Sequence, residues 1–434
     1  MKQLIVDKIK RKFDKILSIP GSKSLSIRAL ILASLASNDT KIKGILLCDD
    51  TTDCINALSS LGIKMKQKKN GDLIVFGSNG IYNIKDYTDI NVGSSGITCR
   101  FLLSILCANL SKQQNKVIIF NGSDQLRKRP IKPLVDSLVK LGANIKYLDK
   151  EGYLPLEIKS SKFHKQNELF VSGLLSSQYI SSILIMSPLL EKKVDIHIID
   201  INPEYHPYIK MTIKAMEDFG IKNIKFDEKN CIYSINPQSY SAKNFIVEAD
   251  LNTAGYFFAI AAITNSKIKI KNINRTSLQP GILFLDILKK MDCIIEYKTN
   301  SIVLIGPEKL NGGFEINMFL TAELATLLAT IATFAKKQIK IYGIKHIRNH
   351  ESDRISNISK ELTKAGINIQ EFDDGLIINP GTAKFFTAET YDDHRIAMSL
   401  AVLGACGNGV NISNYSCVSK TCPEFFELLD FLCK

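Results

Sequence analysis

The chain has 434 residues, 45% apolar and 23% charged, which is enough for two or more domains with sizeable cores and is the composition of a globular protein. No apolar run approaches a membrane span, the start MKQLIVDKIKRKF lacks the unbroken apolar stretch of a secretory signal, and ten scattered cysteines without a CxxC pair read as reduced thiols, so a cytoplasmic protein without membrane contact is expected. The net charge of +13 admits a nucleic-acid binder, a basic cleft for small anions, or dispersed surface lysines; dispersion accounts for most of it, and no RNP-like pattern, zinc finger or basic helix supports nucleic acid. Six scattered histidines without HExxH or close His/Cys pairs argue against a metal centre.

The first informative stretch is Ile19-Pro20-Gly21-Ser22-Lys23-Ser24-Leu25-Ser26-Ile27-Arg28-Ala29. Pro20-Gly21 marks a turn, and the apolar run Ala29–Ala33 predicts a helix, so Ser22, Lys23 and Ser24 fall at its N-terminus. Unpaired N–H groups and the positive end of the helix dipole collect there. Arg28, four residues after Ser24, shares its face, which makes an anion site. A capped amphipathic helix with a solvated lysine and arginine is the plainer alternative.

A phrase then recurs about every 70 residues: an amphipathic helix, a glycine stop, a strand. Copies run Ile55–Met65, Val135–Ile145, Ile213–Ile221, Phe284–Ile294 (with Asp292 in place of glycine) and Ile358–Ile367, and a truncated copy, Phe425–Leu432, ends the series. Glycine suits the helix C′ position because it takes positive φ at little cost. Before each phrase lies a helix apolar nearly all round, hence buried: Arg28–Ala36, Arg100–Leu110, Ser181–Leu190, Thr253–Ile263, Leu324–Ala335 and Arg395–Cys406. Each unit reads strand, buried helix, strand, exposed helix, strand, and three units per half give two similar domains. The buried helices begin with polar signatures, and those ends are expected to converge on a cleft with a positive field.

In order, IPGSKSLSIR, GSSGITCR, RKRP, SSQ, HESDR, DDHRIAM and SKTCPEFF resemble the enolpyruvyl transferase family, and within it 5-enolpyruvylshikimate-3-phosphate synthases. The resemblance implies an α/β fold of two similar domains, each of three βαβαββ repeats with buried parallel helices, an inside-out α/β barrel. It implies a lobe of residues 22–245 that mainly binds shikimate 3-phosphate. Residues 1–21 with 246–434 would form a second lobe for phosphoenolpyruvate and the catalytic carboxylates, with the active site in an interdomain cleft. It implies transfer of enolpyruvyl from phosphoenolpyruvate to the 5-hydroxyl of shikimate 3-phosphate, with no cofactor or metal. Ser24, Arg28, Ser176, Ser177, Gln178 and Tyr208 would hold shikimate 3-phosphate, joined by Lys23, Glu323, His346 and His350. Lys23, Gly96, Arg129, Arg354, Arg395 and Lys420 would hold phosphoenolpyruvate. Glu351 would exchange the proton on carbon, Glu323 would take the hydroxyl proton, and Lys23 and Arg28 would stabilise developing charge. A monomer is expected.

Departures from the family pattern are Glu323 for aspartate, His350 for lysine, Ser94 for asparagine, Ile97 for threonine and Tyr205 for serine. His350 is expected to be partly charged near neutrality. Ile97 is expected to crowd the helix start beside Gly96. A sugar-nucleotide acceptor would predict Lys-Asn at positions 23 and 24 and a cysteine in Asn121–Pro130; both are missing. A non-catalytic paralogue would fit the substitutions at 323 and 350 but not the joint presence of Lys23, Arg28, Glu351, Arg354, Arg395 and Lys420.

Overall fold

The structure, a computed structural model, describes residues 3–163, 168–201, 206–241 and 244–433. Tyr205, one of the departures above, lies outside them. The chain divides into two compact units, Gly21–Glu248 and Met1–Pro20 with Ala249–Lys434.

One repeat defines the rest. Strand Tyr87–Asn91 runs parallel to Val117–Asn121, and the buried helix Gly96–Leu110 connects them. The amphipathic helix Lys132–Leu141 follows, then the hairpin Asn144–Tyr147 and Leu156–Lys159, whose second strand pairs antiparallel with Val117–Asn121. The repeat is thus βαβαββ. Its last strand is one more than helix periodicity alone had suggested, because short alternating strands leave a weak signal beside an apolar helix. The same four-strand order recurs in five sheets, and a sixth sheet has three strands.

Two first strands are exchanged along the chain. Asn244–Ile246 pairs parallel with Thr40–Lys43 in the first sheet of the Gly21–Glu248 unit, and Asp14–Leu17 pairs parallel with Lys267–Lys271 in the other unit. Phe245 is therefore hydrogen-bonded in register opposite Ile42, and the unit boundary falls after Glu248 rather than at Phe245. Gly21 sits at the first crossing. A methyl there would lie 2.0 Å from the Gly44 carbonyl oxygen, so only glycine lets the two chain segments pass.

The buried helices are Lys23–Leu35, Gly96–Leu110, Ser177–Met186, Leu251–Ile263, Ala325–Ala332 and His394–Cys406. Most begin earlier than the apolar runs suggested, so the polar signatures occupy their first turns. The fifth begins later: Phe319–Leu324 forms a tight 3₁₀ segment with a non-helical Thr321 (φ −130°), and the α-helix starts only at Ala325. Glu323 is held on that turn rather than on a helix. Each unit closes its own apolar core. In the fourth phrase Asp292 takes φ 70°, doing at some cost what glycine does elsewhere.

Candidate active site

In the Gly21–Glu248 unit the helix Lys23–Leu35 starts at Ser22, whose backbone N–H donates to the Glu248 carbonyl (2.7 Å). Lys23 Nζ lies 2.8 Å from Asp50 Oδ2, a carboxylate almost wholly buried at the start of the helix Asp49–Ser60. Arg28, 1% exposed, reaches across to the helix Pro207–Asp218. Its Nε donates to Thr212 Oγ1 (2.9 Å), one Nη to the Ser24 carbonyl (3.0 Å) and the other to the Tyr208 carbonyl (3.2 Å). The Phe101 ring lies 5.2 Å below it. Among the described residues no carboxylate pairs with Arg28. Burial pulls its pKa down to about 10, with Tyr208 opposing. A dry cation held only by neutral groups favours an anionic ligand.

The second anion-directed feature surrounds Gly96, the first residue of its helix. Ser95 caps the helix, and Arg100 Nη1 donates to the Gly96 carbonyl (3.0 Å). A methyl on Gly96 would stand 2.6 Å from Arg100 Nη1 and 2.7 Å from Arg129 Nη1, so two guanidinium groups flank a residue with no side chain. Ser176 caps the helix Ser177–Met186, accepting from the Gln178 N–H, and Gln178 Oε1 is buried without a hydrogen-bond partner among the described residues. Ser94 bonds the Ser123 hydroxyl (2.7 Å) and donates its N–H to Asp53 (2.9 Å). Ile97 is part of this unit's apolar core, so any influence on the helix start passes through packing.

The other unit gathers carboxylates. Arg354, 1% exposed, opens the helix Arg354–Lys364 with all five N–H groups engaged. Nη1 donates to Glu323 Oε2 (2.9 Å) and to His350 Nδ1 (3.1 Å). Nη2 donates to Glu351 Oε2 (2.8 Å) and to Asp393 Oδ1 (3.3 Å), and Nε donates to Asp393 Oδ2 (2.9 Å). Arg395 Nε lies 3.3 Å from Glu323 Oε2. Burial would lift the Glu323 carboxyl, but Arg354, the imidazolium form of His350, and Arg395 outweigh both it and Glu351, and hold Glu323 well below the usual carboxylate range. Lys420, nearly buried, ends the 3₁₀ segment Tyr415–Lys420.

The two histidines differ. His346 sits edge-on to Phe319 (5.2 Å) and to His350 (5.7 Å). Burial lowers its pKa despite Glu323 and Asp374, which favours the neutral ring near neutrality. His350 Nδ1 is 3.1 Å from Arg354 Nη1 and 3.6 Å from Glu323 Oε1. An arginine can only donate, so the closer contact suits the neutral ring and the longer one the imidazolium.

Each unit therefore carries a set of the residues singled out in the sequence. Lys23, Ser24, Arg28, Gly96, Arg129, Ser176, Ser177, Gln178 and Tyr208 belong to Gly21–Glu248; Glu323, His346, His350, Glu351, Arg354, Arg395 and Lys420 belong to the other unit. Sequence reasoning passed over Asp50 and noted Asp393 only within the DDHR signature, without a role. Asp393 looks like an ordinary helix cap, and it does accept from the Arg395 N–H (2.8 Å). It also takes the Ser352 hydroxyl (3.0 Å) and two donors of Arg354. Arg354, expected to clamp a substrate anion, has its donors directed at protein and acts first as the hub of the carboxylates. Among the described residues no three His, Cys, Asp or Glu side chains are grouped to hold a metal ion, and no helix is long and apolar enough to cross a membrane.

Repeated βαβαββ units, helix starts lined with cations and a guanidinium joined to three carboxylates define an α/β enzyme for small anionic substrates. The chain belongs to the EPSP synthase (3-phosphoshikimate 1-carboxyvinyltransferase) family, whose model matches residues 7–429. It is 38% identical over 426 residues to 3-phosphoshikimate 1-carboxyvinyltransferase 2 of Halalkalibacterium halodurans, covering 98% of this chain and 93% of that one. It is 35% identical to the 3-phosphoshikimate 1-carboxyvinyltransferase of Haemophilus influenzae, covering 96% of both. An EPSP synthase structure from Acinetobacter baumannii superposes with a TM-score of 0.80 at 23% identity, over 100% of this chain and 98% of that one, and shares the fold.

Proposed function

We propose that these two sets of side chains together carry the 3-phosphoshikimate 1-carboxyvinyltransferase reaction. The enolpyruvyl group of phosphoenolpyruvate passes to the 5-hydroxyl of shikimate 3-phosphate and inorganic phosphate leaves, a step of the shikimate pathway towards chorismate and the aromatic amino acids. The observation that carries the assignment is Arg354, which holds Glu323 and Glu351 on its two Nη atoms and so brings both acid–base candidates to one place.

Shikimate 3-phosphate is taken by Ser24, Arg28, Ser176, Ser177, Gln178 and Tyr208, where serine hydroxyls and helix N–H groups suit a phosphate. Phosphoenolpyruvate is taken by Lys23, Gly96, Arg129, Arg354, Arg395 and Lys420. Glu323 stays ionised across the working pH range and accepts the proton of the attacking hydroxyl. Glu351 gives a proton to the methylene carbon and takes one back as phosphate departs. Lys23 and Arg28 offset the negative charge that grows on oxygen. The enzyme works as a cytoplasmic monomer, since each unit already closes its own core.

The test is phosphate release from phosphoenolpyruvate with and without shikimate 3-phosphate, with UDP-N-acetylglucosamine as control acceptor. Release with shikimate 3-phosphate alone is expected. Release with the sugar nucleotide, or with neither acceptor from folded protein, would overturn the proposal.

A further inference from the structure

The helix that begins with Arg354 carries a second buried acid. Glu361 lies seven residues on, two turns along the same face, and is wholly buried yet outside the Arg354 cluster. Its Oε1 accepts from the Tyr391 hydroxyl (2.7 Å) and its Oε2 from the Glu389 backbone N–H (3.1 Å). Lys364 Nζ also reaches Oε1 (2.7 Å), but its side chain is 45% exposed, which weakens that pair.

What Glu361 grips is unusual backbone. Tyr391 and Asp392 both take φ 54°, two successive left-handed residues without a glycine. Side-chain-bearing residues avoid that region, and a run of two persists only when the surroundings hold it. Directly after this turn come Asp393, which caps the helix His394–Cys406 and holds Arg354, and Arg395, which lies against Glu323. Asn414 Nδ2 fixes the Asp392 carboxylate from the other side (3.1 Å).

We propose that Glu361 is a positioning residue. By tying the Glu389 N–H and the Tyr391 hydroxyl it keeps the Tyr391–Asp392 turn left-handed, and the turn sets Asp393 and the Arg395 guanidinium. This inference rests on the role given to Arg395 in the preceding section. The same helix thus holds the 389–395 segment twice: at its first turn through Arg354 and Asp393, and two turns later through Glu361 and Tyr391.

Four variants test it: Tyr391→Phe, Glu361→Ala, Asp392→Gly, and Glu361→Ala combined with Asp392→Gly. Tyr391→Phe removes one tie and should raise the KM for phosphoenolpyruvate about tenfold, leaving that for shikimate 3-phosphate within about twofold. Glu361→Ala should raise it further. Glycine at 392 lowers the cost of the left-handed turn, so the double variant should recover part of the phosphoenolpyruvate KM, whereas Asp392→Gly alone, which also loses the Asn414 contact, should stay within about threefold of wild type. A lowered melting temperature with unchanged phosphoenolpyruvate KM, or no recovery on adding Asp392→Gly, would overturn the proposal. Should Glu361→Ala fail to fold, Tyr391→Phe decides alone: an unchanged phosphoenolpyruvate KM rejects the role. Wild-type protein inactive on both substrates would sink the catalytic reading of the preceding section, whereas a change confined to the variants bears on Glu361.

Discussion

The two units hold their buried arginines in opposite ways. Arg28 has a hydroxyl and two carbonyls for partners and an aromatic ring beneath it, and burial depresses its pKa. Arg354 is equally buried, but three carboxylates surround it and push its pKa above the usual value, despite burial. The first arrangement leaves the positive charge without a carboxylate partner among the described residues. The second spends its charge inside the protein, on three carboxylates. The same residue type at the same depth is thus held by neutral groups in one unit and by carboxylates in the other.

The largest effect follows from breaking the scaffold. Arg354→Met should lower kcat by about a thousandfold or more, because neither acid–base candidate keeps its place. It should also cost roughly 3–5 kcal/mol of stability, since three carboxylates are left crowded around a missing cation. Denaturant midpoints beside steady-state kinetics check both halves. A variant that keeps its stability and loses only phosphoenolpyruvate affinity would make Arg354 a plain substrate clamp and erase the contrast.

Arg28→Met should do the reverse. Removing the dry cation relieves a desolvation cost of about 3 kcal/mol, the equivalent of its pKa depression, so stability should hold or rise. The KM for shikimate 3-phosphate should rise about a hundredfold, the loss of a charge-assisted pair worth roughly 2–3 kcal/mol. The sign with pH follows from the depressed value. Between about 10 and the usual arginine range the unfolded chain binds the proton that the folded chain has lost, so this group's contribution to stability rises with pH there. Affinity for the phosphate moves the other way and should fall as pH passes about 10. A flat binding profile up to that pH and beyond would show that Arg28 does not face the phosphate.

These contrasts mark what the sequence could tell. The repeat was legible because an apolar helix and a glycine stop are local patterns, and even Asp292 betrayed its place by standing where glycine stood elsewhere. The cations were legible because they cluster at helix starts. The partners were not. Thr212 and Asp50 come to Arg28 and Lys23 from other helices, at separations no local pattern encodes. Asp393 was hidden by its second task as a helix cap, and the 3₁₀ turn Phe319–Leu324 that carries Glu323 leaves no local signature ahead of the largely apolar run Leu324–Ala335. The exchanged first strands, Asn244–Ile246 and Asp14–Leu17, are short and unremarkable in composition; only their pairing reveals them.

The smallest predicted effect sharpens the comparison from the binding side. At Gly96 two guanidinium groups approach a helix start, and the cradle is defined by the missing Cβ. Gly96→Ala should leave the fold intact, because alanine is a good first-turn residue and the Arg129 side chain can yield. The yielding is the point. A shift of a few tenths of an ångström in Arg100 and Arg129 should raise the KM for phosphoenolpyruvate about tenfold and leave that for shikimate 3-phosphate within about twofold. Equal losses for both substrates would mean that the cradle orders the whole unit rather than one anion. No loss for either would move phosphoenolpyruvate away from Gly96, and with it the assignment of Arg129.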